Sequence, residues 1–153
     1  MKVLFVQLPL QDPNGDSSQA NVPLAAGYLA SYAVAKGLLK RGDWAILDRG
    51  TADYGSDSAI AGAITAAGPE LAAFTLYTWN LERSLHIAER VAQASSRTRL
   101  VAGGPEVVSG MKIFDGVGTG RSPFHSLVEG EGEEAFCELL SDMARSKPLA
   151  KRY

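Results

Sequence analysis

The stretch Leu71-Ala72-Ala73-Phe74-Thr75-Leu76, followed by Tyr77-Thr78-Trp79-Asn80, decides how this chain folds. A short, continuous run of apolar and small residues predicts a strand that is buried on both faces, as strands of parallel sheets are. Asn80 is a good helix cap, and Glu82 would lie in the first turn, where the helix dipole favours a carboxylate. The helix that follows is predicted to bury Leu81, Leu85, Ala88 and Val91.

The same strand-then-helix unit recurs on both sides of this stretch. Four further apolar runs predict strands at Val3–Leu8, Trp44–Asp48, Arg99–Ala102 and Ser126–Val128. Three further helices are predicted. The first begins at Leu24 and buries Tyr28, Tyr32 and Ala35, and the second is capped by Ser56 or Asp57 and buries Ile60 and Ile64. The third begins at about Glu131 and buries Phe136, Leu139, Leu140 and Met143. This alternation predicts an α/β fold, a flavodoxin-like doubly wound parallel five-stranded sheet of order 2-1-3-4-5 in a Rossmann-like three-layer sandwich.

Length and composition limit the function classes. The chain has 153 residues, 46% of them hydrophobic, which suits one domain with a real core. A net charge of −2 gives no basic excess for nucleic acid, and no apolar run is long enough to cross a membrane. Without a secretory leader we expect a cytoplasmic protein. We expect residues 1–145 to form the domain and the basic tail 146–153 to be a linker.

Residues typical of ligand contacts follow four of the predicted strands. In open α/β sheets the ligand lies outside the carboxyl ends of the strands. The candidate binding residues are Leu10, Thr78, Trp79, Asn80, Gly103, Gly104, Pro105, Glu106, Gly130, Glu131 and Gly132. We expect a side chain added at Gly104 to obstruct a ligand more than it disturbs the core. Trp79 belongs to neither apolar stripe, so we expect it at the surface of this edge.

Several kinds of chemistry find no motif in the sequence. There is no G-x-x-x-x-G-K-[ST] phosphate loop, no G-x-G-x-x-G after the first strand, and no G-x-S-x-G elbow. His86 and His125 have no second ligand at metal-binding spacing, and Cys137 is the single cysteine. We therefore predict no catalytic residue and no metal site made by this chain alone.

Five segments, in this order, nevertheless form a pattern. They are Val3 to Leu8, Pro23 to Ala30 (PLAAGYLA), Thr75 to Asn80 (TLYTWN), Leu100 to Glu106 (LVAGGPE) and Val128 to Phe136 (VEGEGEEAF). Over about residues 1–141 the chain resembles the N-terminal cobalamin (vitamin B12)-binding domain of radical S-adenosylmethionine enzymes. The resemblance implies a corrin held over the strand ends, against the loops of Thr78, Trp79, Gly104 and Gly130. The cofactor's nucleotide tail would lie in a groove beside the first and last strands.

The resemblance also shows which cofactor ligands of the family are missing from this sequence. Many cobalamin proteins give cobalt a histidine from D-x-H-x-x-G, but the loop Asp12 to Asp16 has none, so no histidine ligand from the protein is expected. Glu106 stands where many relatives carry histidine. The family's [4Fe-4S] cluster needs C-x-x-x-C-x-x-C, which one cysteine cannot supply. Cluster and S-adenosylmethionine would belong to a C-terminal radical SAM domain of the same polypeptide, with methyl transfer as the expected reaction, and this chain would not be catalytic alone.

Two other interpretations stay open at this point. The chain could be a flavodoxin-like interaction or substrate-recognition domain that has lost cofactor binding, which cobalt content after reconstitution would reveal. It could also be a small enzyme acting alone, such as a hydrolase. The absence of any nucleophile–base motif makes that second interpretation the weaker one.

Overall fold

Five parallel strands form the centre of the molecule. The structure is a computed structural model that describes residues 1–10, 22–108, 114–119 and 121–153. The strands are β1 (Val3–Val6), β2 (Trp44–Ile46), β3 (Leu71–Thr75), β4 (Arg99–Gly103) and β5 (Ser126–Val128). They pair in the order β2-β1-β3-β4-β5, every neighbouring pair parallel. The predicted strand order and fold class are confirmed.

Five helices cover the sheet in the described part of the chain. They are α1 (Leu24–Ala35), α2 (Arg49–Tyr54), α3 (Asp57–Ala67), α4 (Leu81–Ala94) and α5 (Gly132–Ala144). The sequence analysis missed α2, although its cap is readable: the Asp48 carboxylate accepts the Thr51 backbone N–H at 2.9 Å. That hydrogen bond lowers the pKa of Asp48. Ser56 caps α3 in the same way, as predicted.

The two faces of the sheet carry different cores. We call the side covered by α3 and α4 the filled face. Its core includes Leu4, Val6, Leu8, Ala72, Phe74, Leu76, Leu100, Ala102 and Leu127 with Ile60, Ile64, Ile87 and Val91. We call the side covered by α1 and α5 the open face. Its core includes Val3, Phe5, Leu71, Ala73, Val101 and Val128 with Ala26, Ala30, Ala33, Phe136, Leu139 and Leu140.

The buried face of α1 differs from the prediction. The sequence pattern assigned Tyr28, Tyr32 and Ala35 to it, but the structure buries Ala26, Ala30 and Ala33 instead. Leu24 and Tyr28 are more than 60% exposed. Alanine side chains let the helix backbone approach the sheet closely, so the larger residues face outward. The other stripes are largely confirmed, with Leu81, Leu85 and Met143 only partly buried.

The tail beyond α5 also differs from the expected free linker. Its last residues lie parallel to β5: the Leu127 N–H donates to the Lys151 carbonyl at 3.0 Å, and the Tyr153 N–H donates to the Leu127 carbonyl at 2.9 Å. Tyr153 and Leu149 pack against the core of the open face. Backbone pairing of this kind depends on tertiary contacts that a tail's composition does not reveal. That a further domain follows stays a prediction.

Candidate functional site

The loops that carry the predicted site residues all leave the carboxyl edge of the sheet. Leu10 follows β1, the segment Thr78 to Asn80 follows β3, Gly103 to Glu106 ends and follows β4, and Gly130 to Gly132 links β5 to α5. Parallel strands place such loops side by side, so the residues gather at one edge. The loop Asp12 to Asp16, expected to lack a histidine ligand, lies outside the described residues.

A cavity of about 390 Å³ opens at this edge, toward the open face. It lies between the sheet and the helices α1 and α5, a size and position that suit a small-molecule site. Gly103, Gly104, Gly130, Glu131 and Gly132 line it, as predicted site residues should. The sequence analysis missed its other lining residues, Phe5, Ala25, Leu29, Ala73, Phe74, Thr75, Val101, Ala102, Val128, Glu133 and Phe136.

Small residues on the open face create the space. Gly103 follows Val101 on the same face of β4, where another large residue would continue the core. Among the described residues, a Cβ built on Gly103 would meet only Val128, its carbonyl oxygen at 3.5 Å and its Cβ at 3.6 Å, which are ordinary contacts. Packing of the protein therefore does not require glycine here. The missing side chain leaves room that a ligand can occupy.

Gly130 to Gly132 form the rim of the cavity, which we call the lip. Gly130 has φ +69, a conformation that glycine adopts without strain, and a Cβ there would meet none of the described residues within 4 Å. A Cβ on Gly132 would press on the flexible end of Leu29 at 3.1 Å. The lip therefore brings bare backbone to the mouth of the cavity beside the start of α5.

Gly104 has a different reason to be glycine. Its φ is +107, and a Cβ there would lie 2.6 Å from the Leu76 carbonyl oxygen and 2.9 Å from the Leu76 nitrogen. The backbone of the β4 loop closes on the end of β3 at this point, because the Leu76 N–H donates to the Gly103 carbonyl at 2.7 Å. We expected a side chain added at Gly104 to obstruct a ligand more than it disturbs the core. That expectation is wrong, because a side chain here would disturb the fold itself.

Asn80 holds the loops together from inside. It is 1% exposed, and its side chain makes no cap hydrogen bond to α4. Its Nδ2 donates to the carbonyls of Leu8 and Thr75, both at 3.1 Å, and its Oδ1 accepts the Tyr77 N–H at 2.9 Å. This buried amide joins the ends of β1 and β3. The Asn80 side chain therefore lies inside the protein and supports the loops at the carboxyl edge.

The remaining predicted residues form a surface beside the cavity. The Thr78 hydroxyl donates to the Glu106 carboxylate at 2.6 Å, which links the loops after β3 and β4. Trp79 stacks on Tyr77 with ring centroids 4.5 Å apart and planes within 5°. Trp79 is 49% exposed, and Leu10 and Val108 are also exposed. The loops of this edge therefore carry three exposed apolar side chains and one stacked aromatic pair.

Neither histidine belongs to this edge. His86 is exposed on α4 and accepts a hydrogen bond from Arg90 Nε at 3.0 Å. His125 precedes β5 at the opposite edge, where its Nδ1 accepts the Leu100 N–H at 3.1 Å. Burial, followed by the charge of Arg99, lowers the pKa of His125. The described residues contain no cluster of three His, Cys, Asp or Glu side chains that could hold a metal ion, and none of the described helices is long and apolar enough to span a bilayer.

The comparisons with known proteins point to methyltransferases. No protein-family model matches the chain. The chain is 31% identical over 128 residues to the 2-(S-pantetheinyl)-carbapenam-3-carboxylate methyltransferase of Streptantibioticus cattleyicolor, an alignment that takes in 83% of this chain. The chain spans about a fifth of that relative's length, since the alignment covers only 18% of it.

A solved structure confirms the fold. The radical S-adenosylmethionine methyltransferase TsrM of Kitasatospora setae, solved with tryptophan substrate and a SAM analogue, superimposes with a TM-score of 0.62 over 96% of this chain. The two sequences are 13% identical, and the match covers 26% of TsrM. In each comparison the chain therefore matches one part of a longer protein.

Proposed function

We propose that this chain is the cobalamin-binding module of a larger radical SAM enzyme that transfers methyl groups. The observation that carries the proposal is the cavity on the open face, whose space follows from Gly103, a glycine that the protein's own packing does not need. Both methyltransferases that resemble the chain are several times longer than it, as expected for a module that works with a second domain.

The residues at this edge fit cobalamin in two ways. The cavity between α1 and α5 is lined mostly by apolar side chains and by alanine and glycine, which suits the nucleotide tail of the cofactor. The exposed apolar side chains Leu10, Trp79 and Val108, on loops of the same edge, suit contact with the broad corrin ring. The lip offers backbone N–H groups at the start of α5 to polar groups of the cofactor.

Cobalamin, when bound, supplies the cobalt that carries the methyl group. The chain's own residues bind and orient it. Asn80 fixes the loops after β1 and β3, and the Thr78–Glu106 hydrogen bond fixes the loops after β3 and β4. Because both histidines lie away from the edge, we propose that the protein gives cobalt no imidazole ligand. The [4Fe-4S] cluster and S-adenosylmethionine would act in a C-terminal domain, beyond the module of residues 1–145.

Reconstitution of the 153-residue chain with hydroxocobalamin tests the proposal. We expect about one cobalt per chain after gel filtration, with an altered cobalamin absorption spectrum. After reduction to cobalt(II), electron paramagnetic resonance should show no nitrogen splitting from a protein imidazole. No retained cobalt would contradict the proposal and favour an interaction domain without cofactor. Nitrogen splitting that disappears in His86→Ala or His125→Ala would contradict the ligand assignment.

A further inference from the structure

We infer that the last four residues of the chain, Ala150 to Tyr153, are a positioning element of the binding site: they hold the lip in the conformation that a ligand needs. The inference rests on the proposed function for the identity of that ligand. We call these four residues the exit strand. They continue from a tail whose sequence predicted only a linker, and they lie against the strand that leads into the lip.

The exit strand supplies the backbone partners that β5 would otherwise lack. β5 has three residues and pairs with β4 on one side only. On its other side the Leu127 N–H donates to Lys151, and the Glu129 N–H donates to the Tyr153 carbonyl at 3.1 Å. The Ser126 hydroxyl donates to the Ala150 carbonyl at 2.6 Å. A strand this short, at an edge, depends on such bonds to stay ordered.

Side chains fasten the exit strand at its far end. Arg152 forms an ion pair with Glu129, the residue directly before Gly130. The Tyr153 hydroxyl donates to the Asp142 carboxylate at 3.0 Å and accepts the Ala150 N–H at 3.1 Å, which ties the strand to α5. Burial raises the pKa of Tyr153, in keeping with its contact with the core of the open face.

These contacts meet at the lip. Because the exit strand runs parallel to β5, it reaches the carboxyl edge of the sheet at Glu129, one residue from Gly130. Gly130 has nothing within 4 Å of its Cβ position, so no side-chain packing at that position holds it. The order of the lip therefore depends on the two segments that flank it, α5 and the Glu129 end of β5. A ligand that binds an ordered lip avoids the entropic cost of ordering it.

Two kinds of variant test the inference. A chain that ends at Lys147 lacks the exit strand. Arg152→Ala and Tyr153→Phe remove side-chain contacts of the exit strand but keep all 153 residues. Arg145→Ala is the matched control, because Arg145 is an exposed arginine outside the exit strand. Hydrogen exchange of the amides of Leu127, Glu129 and the lip is measured without cofactor, and affinity for hydroxocobalamin is measured by titration.

We expect faster exchange at these amides in the shortened chain and cobalamin affinity about tenfold weaker or more, because three backbone hydrogen bonds to β5 and the Ser126 hydroxyl hydrogen bond are lost. Arg152→Ala should weaken affinity about three- to fivefold, and Arg145→Ala should change neither quantity. Unchanged exchange at the lip in both Arg152→Ala and Tyr153→Phe would overturn the inference, even if the shortened chain failed to fold. Faster exchange with unchanged affinity would also overturn it. If the unaltered chain binds no cobalamin, the proposed function fails, while the exchange measurement still decides whether the exit strand orders the lip.

Discussion

The two faces of the sheet are made by the same strands, yet large side chains fill most of one face, while the other holds the cavity of about 390 Å³ at the carboxyl edge. Phe74 of β3 and Leu76, the residue after β3, point to the filled face, while Ala73 and Thr75 of β3 point to the open face. The helices differ in part in the same sense: α3 and α4 present isoleucine and valine to the sheet and α1 presents three alanines, although α5 presents large side chains to the open face.

The difference separates what stabilises the domain from what it can bind. Large residues on the filled face bury apolar surface, which is the main source of folding free energy. Small residues on the open face give up part of that burial at the carboxyl edge, where doubly wound sheets bind ligands. A protein gains no stability from such a space, so its presence supports a binding role.

The glycines of the edge offer the largest test of this comparison. The backbone at Gly104 lies against Leu76 of the filled face, whereas Gly130 borders the cavity of the open face. Both glycines have positive φ. Gly104→Ala should destabilise the fold through backbone strain and crowding, each costing about 1–3 kcal/mol. Gly130→Ala should cost only the strain, about 1–2 kcal/mol. Denaturant unfolding of both variants measures the difference. Equal losses of unfolding free energy would mean that the backbone contact between Gly104 and Leu76 is not rigid.

Neighbouring alanines test the faces directly. Ala72 points to the filled face and Ala73 to the open face, and both belong to β3. Ala72→Leu should overpack its face and destabilise the protein by about 1–3 kcal/mol. Ala73→Leu should extend into the cavity and change stability by under about 1 kcal/mol. Urea melts of the two variants decide the matter; a larger loss for Ala73→Leu would show that the cavity closes in solution.

The smallest effect is expected at Trp79. This side chain is half exposed and stacks on Tyr77, so Trp79→Ala should lose little beyond that stacking, about 0.5–1.5 kcal/mol. A buried tryptophan would cost about 3–5 kcal/mol. Affinity for cobalamin should fall more clearly than stability. A loss of several kcal/mol in denaturant unfolding would show that Trp79 belongs to the core.

Much of the fold was predictable because it depends on local patterns. Apolar runs separated by helical periodicity predicted the strands, and the right-handed crossover rule predicted their order. Ser56 and Asn80 marked helix starts, although only Ser56 makes the cap hydrogen bond. The buried face of α1 was not predictable, because hydrophobicity favours Tyr28 over Ala30, whereas the space beside the sheet admits only the smaller residue. The exit strand was missed because its pairing with β5 is a tertiary contact.

The site was predictable in part for the same reason. Glycines after β4 and β5 marked the rim of the cavity, since glycine at a strand end is conspicuous in a sequence. Its walls were missed because Phe5, Val101 and Val128 look like ordinary core residues. Gly103 and Gly104 are adjacent and looked alike, and only the structure shows that one leaves space and the other closes a backbone contact.

Filling the cavity from Gly103 tests the central claim most directly. Gly103→Val places a branched side chain on an unstrained strand position that valine favours, so the melting temperature should hold or rise. Gly62→Val is the control, because Gly62 is exposed on α3 with open space around it. In titrations with hydroxocobalamin, we expect Gly62→Val to bind like the unaltered chain and Gly103→Val to bind about tenfold more weakly or worse. Equal affinity of the two variants would contradict the claim that the open face holds the cofactor.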